Sequence, residues 1–121
     1  MSKLICLIED NATVNKLFTL ILKKEGYEVV PFLDGNSFIE WAKNSTAALI
    51  VMDILLPDIN GVDLLRKVRE LDNFALVPVI AATGMASEAN RQNLINSGFN
   101  DVISKPLDKN DFLKLIEDYL K

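Results

Sequence analysis

Ala48-Leu49-Ile50-Val51-Met52-Asp53, followed by Ile54-Leu55-Leu56-Pro57-Asp58-Ile59-Asn60-Gly61, decides the fold. Five apolar residues run without interruption and stop at a lone carboxylate, and turn-forming residues come next. An unbroken apolar run of that length reads as a parallel-sheet strand covered on both faces, because a half-exposed strand would alternate. Asp53 then falls at the carboxyl end of the strand, where open α/β sheets place their chemistry.

Working outward, the same grammar repeats. Leu4 to Ile8 is apolar throughout and ends at Glu9-Asp10-Asn11, where helix capping begins. Val14, Leu17, Phe18, Ile21 and Leu22 recur at helical spacing and predict an amphipathic helix with that stripe inward, stopped at Gly26. Tyr27 to Phe32 is a more polar strand containing Pro31, which suits a sheet edge. Asp34-Gly35-Asn36-Ser37 opens a helix through about Asn44, with Phe38, Trp41 and Ala42 on one face and Trp41 read as packing. Beyond Asp53, a helix is expected from Val62 to Leu71 with Leu64, Leu65, Val68 and Leu71 inward. A strand follows from Val77 to Ala82, ending at Thr83-Gly84. Ala86 to Ser97 is a helix of poor propensity, since Asn90, Asn93 and Asn96 interrupt it. Asp101 to Ser104 is a short strand running into Lys105-Pro106, and Asp108 caps a last helix with Phe112, Leu115, Ile116 and Tyr119 inward. Five strand–helix pairs in alternation imply an α/β fold, a parallel sheet sandwiched by helices through right-handed crossovers.

Composition narrows the function. At 121 residues, one domain spanning 1–121 is expected. The net charge of -4, with no basic run, argues against nucleic acid. No apolar segment approaches the roughly 20 residues of a membrane span, and Met1-Ser2-Lys3 shows no leader, so a cytoplasmic protein is expected. The single cysteine, Cys6, sits inside an apolar run and reads as a small buried hydrophobe. The chain has 0 histidines, which removes imidazole acid–base chemistry, His-ligated metals and a phosphohistidine acceptor.

The strand ends gather Glu9, Asp10, Asp53, Thr83 and Lys105. Carboxylates converging from separate strands repel one another unless a cation lies between them. Asp10, Asp53 and a backbone carbonyl form an all-oxygen set suited to a hard, largely hydrated Mg²⁺. Lys105 is a mobile point charge and Thr83 a hydroxyl donor. Together they describe electrostatic support for in-line phosphoryl transfer onto Asp53, giving an acyl phosphate. Singly, each residue has a plain structural use: Glu9-Asp10 as helix cap, Asp53 and Thr83-Gly84 as turns, Lys105-Pro106 as a common dipeptide. The chemistry lies in their joint placement after separate strands.

In these motifs the chain resembles the receiver domain of two-component response regulators, the single-domain chemotaxis and cell-cycle type in particular. The likeness rests on Glu9-Asp10, the loop from Asp53 through Leu56-Pro57 to Asn60-Gly61, Thr83, Lys105-Pro106, and Gly26-Tyr27 and Gly98. It implies a flavodoxin-like (βα)5 sandwich with strand order 2-1-3-4-5. It implies phosphoryl transfer to Asp53 from a phosphohistidine on a histidine kinase or histidine phosphotransfer protein, and a downstream protein target. It implies Mg²⁺, with Mn²⁺ able to replace it, held by Asp10, Asp53 and the Leu55 backbone carbonyl, with Glu9 acting through water. It also implies a cis Lys105–Pro106 peptide and inward movement of Thr83 on phosphorylation. The phosphodonor is expected near Asn11, Val14 and Leu17, and the target near Arg91, Asp101 to Ser104 and Lys109.

Three departures stand out. The position three before the lysine, usually aromatic in the family, is Val102, which cannot report activation by a ring flip. Gly84 replaces the usual alanine after the threonine. The two positions that tune water access are apolar, Leu55 and Met85, which predicts slow self-dephosphorylation. Three rival functions fit the residues less well. A dehalogenase-like phosphohydrolase wants a second acid where Leu55 stands. An FMN site wants a phosphate loop where Glu9-Asp10-Asn11 stands. A docking-only pseudo-receiver has no need of the full set of acids, hydroxyl and lysine.

Overall fold

The computed structural model describes residues 3–121. Strands β1 (Leu4–Ile8), β2 (Glu28–Phe32), β3 (Leu49–Asp53), β4 (Val79–Thr83) and β5 (Asp101–Ser104) alternate with helices. These are α1 (Ala12–Lys24), α2 (Gly35–Ala42), α3 (Gly61–Arg69), α4 (Glu88–Asn96) and α5 (Lys109–Leu120), with a 3₁₀ turn at Asp72–Phe74 before β4. All pairings are parallel and the order is β2-β1-β3-β4-β5, the flavodoxin-like arrangement expected. β2, with Pro31, is at an edge.

Two cores explain why β1 and β3 carry no polar alternation. Cys6, Ile8, Ile50 and Met52 pack under α2, α3 and α4, whose Phe38, Ala42, Leu64, Leu65, Val68 and Leu94 complete that face. The intervening Ile5, Leu7, Leu49 and Val51 pack against Phe18 and Leu22 of α1 and Phe112 and Ile116 of α5. Every residue of β3 is buried. Each such apolar side chain contributes roughly 1.5–3 kcal/mol, so burial of both faces outweighs any preference for alternation. Trp41 packs among Phe32, Phe38 and Phe74, as expected. Burial pushes the Cys6 thiol up to about 12, which keeps it protonated and inert.

The structure corrects several sequence expectations. α1 keeps four of the five expected residues inward, with Phe18 and Leu22 buried and Val14 and Ile21 packed against the same core, but Leu17 is 53% exposed and Asn15 and Thr19 are buried instead. The polar pair wins because backbone carbonyls wait for it there, as shown below. α2 ends at Ala42, short of Asn44, and β2 begins at Glu28 because the Tyr27 N–H closes α1 by donating to the Leu22 carbonyl. α3 stops at Arg69, leaving Leu71 outside it and only half-buried. β4 begins after Pro78, which has no N–H for a ladder, and extends through Thr83. α4 starts at Glu88 because the Ser87 side chain caps it by accepting from the Asn90 N–H, and it ends at Asn96. Gly26 and Gly98 have φ of +93° and +116°, which accounts for glycine just past α1 and α4.

Candidate functional site

The register of the sheet brings the site together. Asp53 pairs with Ala82, and Thr83 with Ser104, so β3, β4 and β5 finish side by side and release Asp53, Thr83 and Lys105 at one edge. β1 ends beside them at Ile8, and Glu9 and Asp10 open the turn into α1.

Lys105 is the centre of the cluster. Its Nζ lies 2.8 Å from Asp53 Oδ2 and 2.8 Å from Glu9 Oε1. Carboxylate oxygens of Glu9, Asp10 and Asp53 lie within 4.8 Å of one another. Glu9 and Asp53 are buried, Asp10 is exposed and Lys105 is half-buried. The Lys105–Pro106 peptide is cis, as the family likeness implied.

Charge in this cluster is unbalanced. Two like charges about 4 Å apart repel by roughly 4 kcal/mol at the effective dielectric near a protein surface, and one ammonium cannot offset three carboxylates. Burial pushes the Glu9 carboxyl above its usual range, and the nearby Asp53 charge adds to this. The Lys105 ammonium and the Asn11 N–H, which donates to Oε2 at 2.9 Å, only partly oppose the rise. For Lys105, desolvation lowers the pKa but Asp53 and Glu9 more than reverse it, so the amine stays charged. An oxygen-only pocket with a surplus of negative charge fits a hard divalent cation.

The neighbouring loop is built tightly. Glycine is required at 61, where a Cβ would fall 2.8 Å from Ile54 Cα and 3.0 Å from the Asp53 carbonyl oxygen. The Gly61 N–H donates to the Ile54 carbonyl, and Leu55 and Asn60 form an antiparallel bridge that closes the loop. The Leu55 N–H donates to Asp53 Oδ1 at 3.3 Å, and the Lys105 ammonium donates to the other oxygen, Oδ2. Thr83 is buried, and its Oγ1 accepts from the Met85 N–H at 3.0 Å, which leaves the hydroxyl proton free to donate. Leu55 and Met85 stand at the rim, 75% and 72% exposed, and offer no polar group to a water there.

Glu9, Asp10, Asp53, Thr83 and Lys105 therefore converge as expected. Three further residues escaped the sequence reading. Asn15, 3% exposed, donates from Nδ2 to the Glu9 carbonyl at 3.0 Å and to the Phe32 carbonyl at 2.9 Å. Thr19 donates to Asn15 Oδ1 at 3.2 Å. Asp58, in the loop after Asp53, accepts from the Gly35 and Asn36 N–H groups at 3.0 and 2.8 Å and so caps α2. Desolvation pushes the Asp58 carboxyl up, but the backbone donors outweigh it and hold it below its usual range. The 15/18/19/22 spacing was a signal for Asn15, masked by the more apolar 14/17/18/21/22 stripe.

The β5 edge carries a second polar assembly. Arg91 donates to the Val102 carbonyl at 2.8 Å and to Asp101 Oδ1 at 3.0 Å, and the Tyr119 hydroxyl donates to the Asn100 carbonyl at 2.9 Å. Val102 is buried beneath it.

Known proteins share this arrangement. The family described as the response regulator receiver domain matches residues 5–117. The polar-differentiation response regulator DivK of Brucella anthropi is 31% identical over 120 residues, covering 99% of this chain and 98% of that protein. The crystal structure of the receiver domain of sensor histidine kinase PA1611 from Pseudomonas aeruginosa PAO1 superposes with a TM-score of 0.88 at 28% identity. It covers 99% of this chain and 98% of that one, and holds a magnesium ion coordinated in its active site cleft. A CheY-like receiver domain protein from Methanospirillum hungatei JF-1 gives a TM-score of 0.89 at 31% identity, over 99% and 94% of the two chains. With an acid pair, a strand-end aspartate, a hydroxyl and a lysine at one sheet edge, and with family and relatives matching along its length, this chain belongs to the response regulator receiver domains, the regulatory phosphoacceptor domains of two-component signalling.

Proposed function

We propose that Asp53 is the phosphoacceptor and that residues 1–121 work as one receiver unit. The observation that carries this is the ammonium of Lys105 lying 2.8 Å from a carboxylate oxygen of Asp53, inside a cluster of three acids. An Asp53 oxygen forms an O–P bond in line as the N–P bond of a partner phosphohistidine breaks, and that bond's electron pair leaves with the imidazole nitrogen. In this reading Lys105 transfers its contact from the carboxylate to a phosphoryl oxygen, and the Thr83 hydroxyl donates to another. Asp10, Asp53 and the Leu55 carbonyl are the residues we assign to Mg²⁺ (or Mn²⁺), with Glu9 supporting from beside Lys105. When bound, the ion supplies the positive charge that the acid cluster and the phosphoryl oxygens lack.

The partners we assign are a histidine kinase or histidine phosphotransfer protein as donor and a downstream protein as target, met in the cytoplasm. Both the PA1611 receiver, which belongs to a sensor histidine kinase, and the DivK relative, named a response regulator, support that reading. Among the described residues no helix is long and apolar enough to cross a membrane.

Acetyl phosphate with Mg²⁺, followed by intact-mass measurement, tests the assignment. One phosphoryl adduct is expected on the native chain and none on Asp53→Asn. An adduct that persists in Asp53→Asn, or no adduct on the native chain, overturns it. The apolar rim of Leu55 and Met85 further predicts a long-lived phosphoryl group. Leu55→Asn should shorten its lifetime, because an amide there can orient water, and an unchanged decay rate would refute that role for the rim.

A further inference from the structure

Asn15 lies outside the acid cluster, yet its side chain is tied to the cluster's backbone. Helix interiors disfavour asparagine, and a buried amide costs stability unless its groups are bonded. Here Nδ2 meets two carbonyls at 3.0 and 2.9 Å, those of Glu9 and Phe32. Thr19, one turn on, donates to Oδ1 and so fixes which end of the amide faces the carbonyls. The Phe32 carbonyl also accepts from the Glu9 N–H at 3.0 Å. One amide thus holds the residue that begins the acidic turn against the last residue of β2.

We propose that Asn15 is a positioning residue for the metal-binding acids, with Thr19 orienting it; the inference rests on the phosphoacceptor reading above. The reasoning is mechanical. Glu9 and Asp10 follow directly on the end of β1, and their carboxylates must stay within reach of Asp53 despite mutual repulsion. The turn needs a brace that carries no charge of its own, since a cationic brace would pair with the acids and an anionic one would add to the repulsion. A neutral amide donating two hydrogen bonds to backbone meets that need.

A control of the same chemistry stands at the opposite end of the sheet. Asn73 also donates from its amide to two backbone carbonyls, those of Ala42 and Ser45, far from the acids. The test compares Asn15→Ala with Asn73→Ala, using Mg²⁺ alone as the titrant in calorimetry and unfolding in EDTA to record any loss of stability. Groups that support metal ligands typically change affinity by 10–100-fold when removed. Asn15→Ala is therefore expected to raise the Mg²⁺ dissociation constant roughly tenfold. The Mg²⁺ concentration for half-maximal phosphoryl uptake from acetyl phosphate should rise in parallel, while the uptake rate at saturating Mg²⁺ stays within about twofold of native. Asn73→Ala should leave the dissociation constant unchanged. An Asn15→Ala chain that binds Mg²⁺ like the native one, or an Asn73→Ala chain weakened equally, overturns the inference while leaving the phosphoacceptor reading in place. A native chain that binds no Mg²⁺ overturns both. Should Asn15→Ala fail to fold, Thr19→Val removes only the orienting hydroxyl. A weakening of about two- to threefold is expected there on the same reasoning, and an unchanged affinity overturns the proposal.

Discussion

Helices α1 and α4 lie on opposite faces of the sheet, flank the same site, and are attached by different means. α1 buries Asn15, Phe18, Thr19 and Leu22, and Phe18 meets Phe112 of α5 edge-on at 5.1 Å. α4 fully buries only Leu94, with Ile95 partly buried against the same core, and Arg91 links it to β5 through a half-exposed guanidinium. The acid pair leads into α1 and Thr83 leads, through Gly84, into α4. A helix anchored by broad core packing resists displacement, whereas one held by a leucine, a partly buried isoleucine and a few polar bonds shifts at smaller cost. The acids therefore adjoin a helix anchored in the core, and Thr83 adjoins one more weakly held. Val102 fits this picture. With no ring at 102, the polar link between α4 and β5 is Arg91, which donates to the Val102 carbonyl and to Asp101.

The contrast is broken most severely from the α1 side. Leu22→Ala should cost about 2–5 kcal/mol in urea unfolding, since a fully buried leucine leaves a cavity. A loss below about 1 kcal/mol would show that α1 is not anchored by packing. Arg91→Ala should cost only about 1 kcal/mol, because the guanidinium is half in water and its ion pair is screened. Its signature is regional: amide exchange should quicken several-fold in α4 and hardly at all in α1. Uniform quickening would place α4 and α1 in one cooperative unit.

Gly84→Ala sharpens the comparison in the other direction. A Cβ at 84 would meet nothing within 4 Å, so alanine fits the folded loop and restricts the unfolded chain. A gain of about 0.4–1 kcal/mol is expected. The smallest effect belongs to Tyr119→Phe, about 0.5 kcal/mol near neutral pH from one lost, partly exposed hydrogen bond. Desolvation, reinforced by the Asp101 charge, raises the Tyr119 phenol above its ordinary range. With the folded pKa raised, its contribution is complete below the unfolded phenol pKa of about 10 and disappears as pH rises through the folded value. The stability difference between native and Tyr119→Phe should therefore vanish at high pH, and a difference that grows there would contradict the assignment.

Much of this was legible in the residue order. The apolar runs of β1, β3 and β4, the caps Asn11, Asp34 and Asp108, and the stops Gly26 and Gly98 act over a few neighbours, so local chemistry declares them. The acids, hydroxyl and lysine could be placed together because each follows a strand and parallel strands end on one side. The misreadings were equally physical. Leu17 lost the inward face of α1 to Asn15, the ends of α2, α3 and α4 moved by a few residues, and Asp58 looked like one more turn residue.

Sequence by itself determined the alternation of elements, the two-sided burial of the central strands and the set of reactive groups, because each depends on periodicity or on what directly follows a strand. Tertiary structure alone decided that α1 buries Asn15 and Thr19, where Asp58 is used and what Arg91 grips. Asn15 is worth burying only beside the Phe32 carbonyl, Asp58 caps a helix that begins 23 residues before it, and Arg91 finds Val102 only once β5 has paired with β4. A polar side chain takes its place from the partner that satisfies it, and that partner is supplied by the folded chain.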